Sequence, residues 1–317
     1  MTKLSFRLLL TAGLCHTLAA IAPAAEKLTL ATHNCEWLIR EKIHMRIGER
    51  DPITDAARRE QVFNEAADAV ADVLREVNAD VLGLQEVGDA ADVQTLRDKL
   101  AARGVSYAHM QVGVSTDNTT RQNTAVLSRF ALRELVTPIP GRESYLKEAD
   151  DLDAEEDTGV SKGLAVTFDA HGITFRLYVV HLKSQLGGYE ADAQRLAQSS
   201  IVRRAYLPEL AQGAAVIVMG DMNAGRGQSA LRRIRGLDDI QPDLVETGLP
   251  KYFDEDKLDT RWTYEFQGVR EQIDHILLSE SVVEVCKRGG VHARTVRVER
   301  EHASDHLPLV VELELRD

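Results

Sequence analysis

Residues 218–225 read Val-Met-Gly-Asp-Met-Asn-Ala-Gly, and residues 303–308 read Ala-Ser-Asp-His-Leu-Pro just before the alternating strand 309–315. In both places an apolar strand adjoins carboxylate, amide or imidazole groups, and a Gly or Pro turns the chain. Carboxylates at the end of a strand, beside a Gly that permits close approach of a ligand, suit a hard divalent cation and a phosphate. The neighbouring imidazole suits a base that deprotonates water. Together the two stretches predict metal-assisted hydrolysis of a phosphoester.

Four more apolar segments carry a polar group at or near one end, namely Asn34, Glu86, His181 and Asp274. Any one of them is a weak signal, because a solvated Glu or Asn at a strand end is common. Six such segments in this order resemble the endonuclease/exonuclease/phosphatase superfamily, which is deoxyribonuclease-I-like. The resemblance extends from about Leu28 to Leu315. The segments around His181 and Asp274 are most similar to those of secreted bacterial nuclease-type members.

This resemblance implies an α/β fold, specifically a four-layer α/β/β/α sandwich of two mainly antiparallel sheets with the site at one edge. Hydrophobic periodicity alone predicts only one α/β domain. It places helices at residues 58–77, 92–103 and 190–207, the last closed by Pro208. It places strands at residues 125–127, 164–168, 175–180, 216–219, 273–278 and 309–315. The acidic run 148–157 is interpreted as a solvated surface loop, since the spacing of an EF-hand is absent.

The first 25 residues have the pattern of a secretory signal peptide. Lys3 and Arg7 form a basic start, residues 8–21 are mostly apolar, and the small residues at 22–25 offer a cleavage site. The apolar run is too short to span a membrane. We therefore expect a mature chain of residues 26–317 that folds as a single domain and is secreted or periplasmic.

Charge and cysteine content limit the classes of partner. The 317-residue chain has a formal net charge of −12 at pH 7, and loss of residues 1–25, which hold two basic residues and no acid, makes it −14. This charge argues against broad electrostatic capture of nucleic acid, although bound cations add positive charge at a site. Cys35 and Cys286 remain in the mature chain, and the sequence leaves open whether they pair or are two buried thiols.

The resemblance implies a Mg²⁺ cofactor, with Mn²⁺ or Ca²⁺ as alternatives. Glu86 is the candidate principal ligand, because Mg²⁺ favours one or two carboxylates and retains several waters. Asn34 resembles the amide that lies beside this metal in the family. Asp305 is expected near the metal-bound water or a second cation.

Five residues are candidates for the chemistry: His181, Asp221, Asn223, Asp274 and His306. Asp221 could orient or activate the nucleophile or protonate the leaving oxygen, and Asn223 can donate to a phosphate oxygen as charge builds. His306 resembles the second catalytic histidine of the family. Asp274 would accept its other N–H and fix the tautomer. His181 resembles the histidine that donates to the phosphate from the opposite side.

In deoxyribonuclease-like members the histidine that His181 resembles has an acidic partner. Here Gln122 or Asn123 stands where that acid is expected, so His181 is interpreted as a hydrogen-bond donor to phosphate rather than a strong acid. Arg121 and Lys183 are candidate substrate contacts.

Four other residues near these motifs require an interpretation. His33 and His275 should point to the opposite face of their strands and are interpreted as structural. Trp262 and Tyr264 fit either a core-packing strand or an aromatic loop that stacks on a base.

The expected function is that of a secreted, monomeric, Mg²⁺-dependent phosphodiesterase whose substrate is nucleic acid. The alternatives within the superfamily are a phospholipid phosphodiesterase similar to sphingomyelinases and a phosphomonoesterase. Sphingomyelinase-type members reach membranes with exposed aromatic hairpins, whereas only 5% of this chain is aromatic, and no stable membrane association is expected. A catalytically inactive binding module is disfavoured because no central group is missing. The choice between DNA and RNA stays open at this point.

Overall fold

The computed structural model describes residues 26–151, 153–237, 243–246, 262–298, 300 and 303–316, so the expected signal peptide lies outside the described residues. The helices of the described part are α1 (Ile43–Arg46), α2 (Ala56–Val77), α3 (Ala90–Ala102), α4 (Gly188–Leu210), α5 (Ser229–Arg235) and α6 (Glu280–Glu284), with a 3₁₀ turn at Arg40–Lys42. None of these helices combines the length and apolarity needed to cross a membrane.

The strands of the described part follow one another as β1 (Lys27–Leu38), β2 (Val81–Val87), β3 (His109–Val112), β4 (Asn123–Ser128), β5 (Leu132–Val136), β6 (Ile139–Leu146), β7 (Glu155–Val160), β8 (Gly163–Ala170), β9 (Ile173–His181), β10 (Ala215–Asp221), β11 (Leu244–Glu246), β12 (Tyr264–Phe266), β13 (Val269–Glu271), β14 (Asp274–Ser279), β15 (Cys286–Thr295) and β16 (Leu309–Leu315). Twelve of them form two six-stranded sheets, of order β15-β16-β1-β2-β4-β3 and β11-β14-β10-β9-β8-β5. Neighbouring strands are antiparallel except for β1 with β2 and β9 with β10.

Three apolar layers hold the sheets and helices together. The first lies between the first sheet and helices α2 and α3 and includes Phe63 and Leu82. The second lies between the two sheets and includes Leu30 and Phe168. The third joins the second sheet to α4 and α5 and includes Tyr206. The expected four-layer α/β/β/α sandwich of two mainly antiparallel sheets is confirmed.

All three predicted helices differ at their ends from the structure, α3 by one or two residues at each end. Helix α2 begins earlier than its apolar spacing predicts, because the Asp55 side chain accepts the backbone N–H of Ala57 at 2.8 Å and caps the helix there. Helix α4 passes through Pro208, so the predicted stop at that residue is wrong. A proline in the last turn removes only one donor, and the backbone N–H of Ala211 still donates to Leu207 at 3.0 Å.

The acidic run 148–157 is a loop only in its first part. Residues 155–157 begin β7, which pairs with β6 in a separate two-stranded sheet. Their side chains are exposed, as the charge run predicts, and the cations of β6 and the residue after it face them. Lys147 lies 2.5 Å from Glu156, and Arg142 lies 3.6 Å from Asp157. These cross-strand ion pairs allow an acidic segment to form a strand.

Pairing between strands brings the polar motifs to one edge of the sandwich. The parallel pairs β1–β2 and β9–β10 both end at this edge. Strand β14 begins there because it is antiparallel to β10. As a result, Asp221 pairs in register with Asp274 on one side and with His181 on the other.

The two strands that approach the site in the first sheet are irregular at that edge. Strand β1 continues past Asn34 to Leu38, and its pairing with β2 shifts register between these residues. Glu36, Trp37 and Glu86 all have positive φ, at 45°, 50° and 55°. Such irregularities re-aim side chains next to functional sites. They turn Glu86 into the cavity described below.

Gly220 allows the two central strands of the second sheet to approach closely beside the site. Its φ is +140°, and a Cβ atom at this position would lie 2.0 Å from the carbonyl oxygen of Val180. A side chain here would therefore separate β10 from β9 and displace the neighbouring Asp221.

Both cysteines of the expected mature chain are free and buried. Cys35 packs in the layer between the first sheet and α2, and Cys286 packs in the layer between the sheets. The alternative left open by the sequence is thereby decided in favour of two separate buried thiols.

Candidate active site

A cavity of about 230 Å³ opens at the edge where the strands converge. It brings together six of the predicted site residues, namely Glu86, His181, Asp221, Asn223, Asp305 and His306. Asn34 and Asp274 lie behind its wall and hydrogen-bond to residues that line it. Lys183 lines an adjoining cavity. Arg121 is exposed and is not among the residues that line either cavity.

Asn34 connects the acids of the two sheets. Its Nδ2 donates to Asp221 Oδ2 at 2.9 Å and to Glu86 Oε1 at 3.2 Å, while its Oδ1 accepts from the backbone of Glu36 at 2.9 Å. The second oxygen of Glu86 accepts from the backbone of Trp37 at 3.0 Å. In this orientation the amide fixes the positions of two carboxylates and directs its own oxygen toward the backbone.

Three carboxylates line the same side of the cavity, those of Glu36, Glu86 and Asp305. Burial and the Asp305 carboxylate raise the pKa of Glu36 to about 7, although Arg46 lies 3.7 Å from it. Hard oxygen ligands whose negative charges repel one another are the donor set that a divalent cation such as Mg²⁺ requires. The residues present therefore fit a divalent cation held around Glu86.

A second group of candidate ligands is less suited to Mg²⁺. Ligand atoms of Asp221, Asp274 and His306 lie within 4.8 Å of one another. However, Asp274 is fully buried, and the Nδ1 of His306 is already bound to it. Mg²⁺ keeps several waters, which this closed cluster does not accommodate. We interpret the three residues as a proton-transfer unit.

His306 and Asp274 form a buried dyad. Nδ1 of His306 lies 2.8 Å from Asp274 Oδ2, and Thr263 Oγ1 accepts from the backbone of Asp274 at 3.1 Å. Burial alone would lower the pKa of His306, but Asp274 and the neighbouring carboxylates outweigh it and raise that pKa to about 10. The other ring nitrogen, Nε2, lies 3.9 Å from both Asp221 Oδ2 and Asp305 Oδ1 and faces the cavity.

Asp221 is held on both of its oxygens. Oδ1 accepts from the backbone of Asn223 at 2.9 Å, and Oδ2 accepts from Asn34. Burial and the Asp274 carboxylate raise the pKa of Asp221 to about 7, which places it where it can both take and give a proton near neutral pH. Asn223 has φ of 48° and donates from Nδ2 to the carbonyl of Leu182 at 3.1 Å.

His181 lines the same cavity as His306, and no carboxylate of the described residues contacts its Nδ1. Its Nε2 is 3.7 Å from both Glu86 Oε1 and Asp221 Oδ2, whereas its Nδ1 has no hydrogen-bond partner among the described residues. Gln122 instead accepts from the Lys162 ammonium at 2.8 Å. Burial, reinforced by Lys162, holds the pKa of His181 well below its ordinary value. The imidazole is therefore neutral near pH 7.

The structure also places residues at the site that sequence reasoning missed. Ser304 accepts from the backbone of His306 at 3.0 Å and donates to the carbonyl of Asn34 at 2.8 Å, which ties the His306 loop to β1. Its position next to Asp305 in the motif was a signal for this role. Lys162 and Thr263 had no comparable signal, because neither belongs to one of the six strand-end motifs.

The residues near the motifs that could be either structural or functional are all buried or close to the site. His275 is buried, with Nε2 2.8 Å from the carbonyl oxygen of Ala224. Trp262 is 7% exposed and packs under the Arg270 guanidinium. Tyr264 lines the cavity, and its ring centroid lies 4.7 Å from that of His306. The two aromatic residues thus divide between the core and the cavity.

His33 predicts a specific dependence of stability on pH. It is fully buried, neither ring nitrogen has a partner in the described part of the chain, and burial lowers its pKa from 6.5 to about 3. The folded state therefore keeps His33 neutral while the unfolded state binds a proton below pH 6.5. The contribution of His33 to the free energy of unfolding is therefore complete above pH 6.5. It decreases by about 1.4 kcal/mol for each pH unit as the pH falls toward 3.

Urea unfolding in EDTA at pH 7 and pH 5 measures this effect. Relative to His33→Leu, the wild type should lose roughly 2 kcal/mol more of its free energy of unfolding over that interval. His292, which is 59% exposed, provides a control position in the variant His292→Gln. If the wild type and His33→Leu lost equal free energy of unfolding between pH 7 and pH 5, His33 would not be the source of the pH dependence.

Comparison with known proteins agrees with this geometry. The model of the Endonuclease/Exonuclease/phosphatase family matches residues 31–306. Beta toxin from Staphylococcus aureus is similar in structure, with a TM-score of 0.58, 13% identity, and coverage of 90% of this chain and 99% of that chain. Truncated TDP2 from Caenorhabditis elegans is also similar, with a TM-score of 0.55, 17% identity, and coverage of 91% of this chain and 97% of that chain.

A third structure, ANGEL2, a 2′,3′-cyclic phosphatase, gives a TM-score of 0.56 and 14% identity, with coverage of 91% of this chain and 95% of that chain. At these identities the three structures show a shared fold. A search of curated proteins found no match. The family model covers most of the chain and spans the motifs from β1 to His306. The chain therefore belongs to the endonuclease/exonuclease/phosphatase family of metal-dependent phosphoester hydrolases.

Proposed function

We propose that this protein is a secreted, Mg²⁺-dependent phosphodiesterase that hydrolyses nucleic acid. The observation that carries the choice of substrate is a second cavity of about 680 Å³, which shares Trp37, Glu86, His181 and Ser184 with the site. Its charged lining consists of the cations Arg142, Lys162 and Lys183 and the carboxylates Glu86, Asp117 and Asp157. The rest includes hydroxyl and amide side chains, among them Thr116, Thr120, Thr158, Ser161, Gln194 and Gln198. Such a lining suits the sugars and phosphates of a nucleic-acid strand. Secretion rests on the signal-peptide pattern of residues 1–25.

The dyad supports the attack of water on phosphorus. Asp274 holds Nδ1–H of His306, so Nε2 points toward the cavity. The carboxylates around the ring raise its pKa to about 10, so Nε2–H can donate to a water or a phosphoryl oxygen near pH 7. Asp221, whose pKa is about 7, would take the proton of the attacking water. Because Asp221 is fixed by Asn34 and Asn223, the base is held in place before the substrate arrives.

The opposite wall binds the phosphoryl oxygens. The neutral imidazole of His181 can donate from one ring nitrogen, and Asn223 has a second amide hydrogen beyond the one given to Leu182. These donors strengthen as negative charge develops in the transition state. A divalent cation held by Glu86, with Asp305 and Glu36 nearby, would supply Lewis-acid polarisation of a phosphoryl oxygen.

One observation favours a second candidate function, a phospholipid phosphodiesterase. The hairpin formed by β12 and β13 exposes Phe266 and Val269, and Leu186 is 74% exposed beside it. All three line a cavity that shares Asn223, Ser184 and Tyr264 with the site. Sequence reasoning did not foresee this apolar hairpin, because composition does not report which aromatic residues are exposed.

A single substrate screen decides between these functions. The mature protein is assayed with Mg²⁺, Mn²⁺ or Ca²⁺ on duplex DNA, RNA, sphingomyelin vesicles, inositol phosphates and bis(4-nitrophenyl) phosphate. We expect kcat/KM to be highest on a nucleic acid and the Glu86→Gln variant to show no activity above background on any substrate. A preference for lipid or for a phosphomonoester by orders of magnitude would reject the nuclease.

A further inference from the structure

Lys162 extends the row of site residues by one strand. Asp274, Asp221 and His181 lie on adjacent strands in register. The backbone N–H of His181 donates to the carbonyl of Lys162 at 2.8 Å, next to the pair Gly163–Val180. Neighbouring strands are about 4.8 Å apart. Lys162 therefore lies one strand spacing from His181 and two strand spacings from Asp221 along the sheet edge. The row therefore changes from negative to positive along the sheet edge.

The side chain of Lys162 is largely covered, and its ammonium has no close ion pair with any residue that the structure describes. Its side chain is only 15% exposed, and the nearest carboxylate oxygen among the described residues is that of Asp117 at 3.9 Å. Its one hydrogen bond in the described part of the chain goes to the neutral Gln122. Burial lowers the pKa of this ammonium. A buried cation with an unused bonding capacity is costly to the fold, and such groups mark functional sites.

The position of Lys162 relative to the two cavities indicates which part of a substrate it meets. Lys162 and Lys183 line the cavity of about 680 Å³, and neither lines the cavity of about 230 Å³ that contains the candidate catalytic residues. Lys183 lies in a partly buried position, and its ammonium has no hydrogen bond or ion pair to a residue in the described ranges. The other cation of this cavity, Arg142, already faces Asp157.

We propose that the larger cavity binds a second phosphate group of the substrate, next to the one that is hydrolysed, and that Lys162 is its principal contact. This inference rests on the proposed function, because it names a feature of the nucleic-acid substrate. The Lys162 ammonium donates to a non-bridging oxygen of the second phosphate, and Lys183 adds charge at the mouth. Gln122 holds the ammonium in place. The enzyme therefore favours substrates with at least two neighbouring phosphates.

The test compares substrates that differ by one phosphate. Dinucleotides with a single internal phosphodiester are compared with the same dinucleotides carrying an extra phosphate at the 5′ or the 3′ end, and bis(4-nitrophenyl) phosphate serves as a one-phosphate substrate. For the wild type, one of the two extra phosphates should raise kcat/KM by about 10-fold or more, the range of a charge-assisted hydrogen bond. The same dinucleotides are also measured as competitive inhibitors of bis(4-nitrophenyl) phosphate hydrolysis.

The variant Lys162→Met removes the charge and keeps the length of the side chain. It should reduce to about one the ratio of kcat/KM between dinucleotides with and without the extra phosphate, and likewise the ratio of their inhibition constants. The ratio cancels any change that loss of the charge beside His181 makes to every substrate alike. Lys162→Arg should keep part of the preference because it keeps the charge. Lys27→Met, at the start of β1 and 55% exposed, is the matched control and should behave as wild type.

The failure of this inference is distinguishable from that of the proposed function. If the dinucleotides inhibit but are not cleaved, the nuclease is rejected while the inhibition constants still report on the subsite. If the extra phosphate gives no advantage, or if Lys162→Met slows every substrate by the same factor, the second-phosphate subsite is wrong.

Discussion

Replacing Glu86 by Gln is expected to lower kcat/KM by about 10³-fold or more. Lewis-acid stabilisation by a bound cation contributes several kcal/mol to a phosphoryl transition state, and each 1.36 kcal/mol is a factor of ten. Glu86 is the carboxylate whose strand irregularity turns it into the cavity between Asn34 and Trp37. The amide of Gln preserves the shape but removes the charge. Isothermal titration calorimetry should accordingly show weaker Mg²⁺ binding.

Controls separate metal binding from stability. Glu284→Gln changes an exposed carboxylate at the end of α6 and should leave activity and Mg²⁺ affinity unchanged. The thermal unfolding midpoints of both variants in EDTA should be close to that of the wild type. Wild-type activity that survives excess EDTA, or a fully active Glu86→Gln variant, would refute the assignment of the metal to Glu86.

Removal of either member of the His306–Asp274 dyad is expected to slow turnover by about 10²–10⁴-fold, the usual range for a positioned acid–base group. The double variant His306→Ala/Asp274→Ala should be about as slow as His306→Ala alone, because the carboxylate acts chiefly through the ring that it holds. The evidence for a single unit is the 2.8 Å hydrogen bond and the complete burial of Asp274. Steady-state kinetics of all three variants form a double-mutant cycle.

Asp274→Asn provides a milder change in the same cycle. It preserves the side-chain volume and thus limits the cavity that Ala would leave in a fully buried position. Urea unfolding of each variant checks that the fold persists. Losses that multiply in the double variant would show that His306 and Asp274 act independently.

Some features of this site follow from the sequence alone. The strand-end motifs around Asn34, Glu86, Asp221 and His306 resemble those of the family, and this resemblance implied the layered fold and the convergence of these residues at one edge. Hydrophobic periodicity alone predicted only one α/β domain. The burial of His33 and His275 followed from the alternation of side chains along a strand, which is a local pattern.

Other features depended on long-range packing. Helix α4 continues through Pro208 since tertiary contacts and one remaining hydrogen bond outweigh a local stop signal. Arg121 stays a predicted substrate contact and lies exposed outside both cavity linings, while Lys162, which directly precedes β8, lies beside His181. The sequence does not show which group a single Lys or Arg will contact. The register of β8 against β9 is what places Lys162 beside His181.

The sequence by itself thus determined the family, the layered fold and the set of chemical groups at one edge. The tertiary structure alone decided how those groups are paired. Asn34 bridges Glu86 and Asp221 from two different sheets. The cysteines are separated into two different apolar layers. The physical reason is that strand ends specify which residues meet, whereas register and bulges, which arise from packing across the sandwich, specify distance and direction.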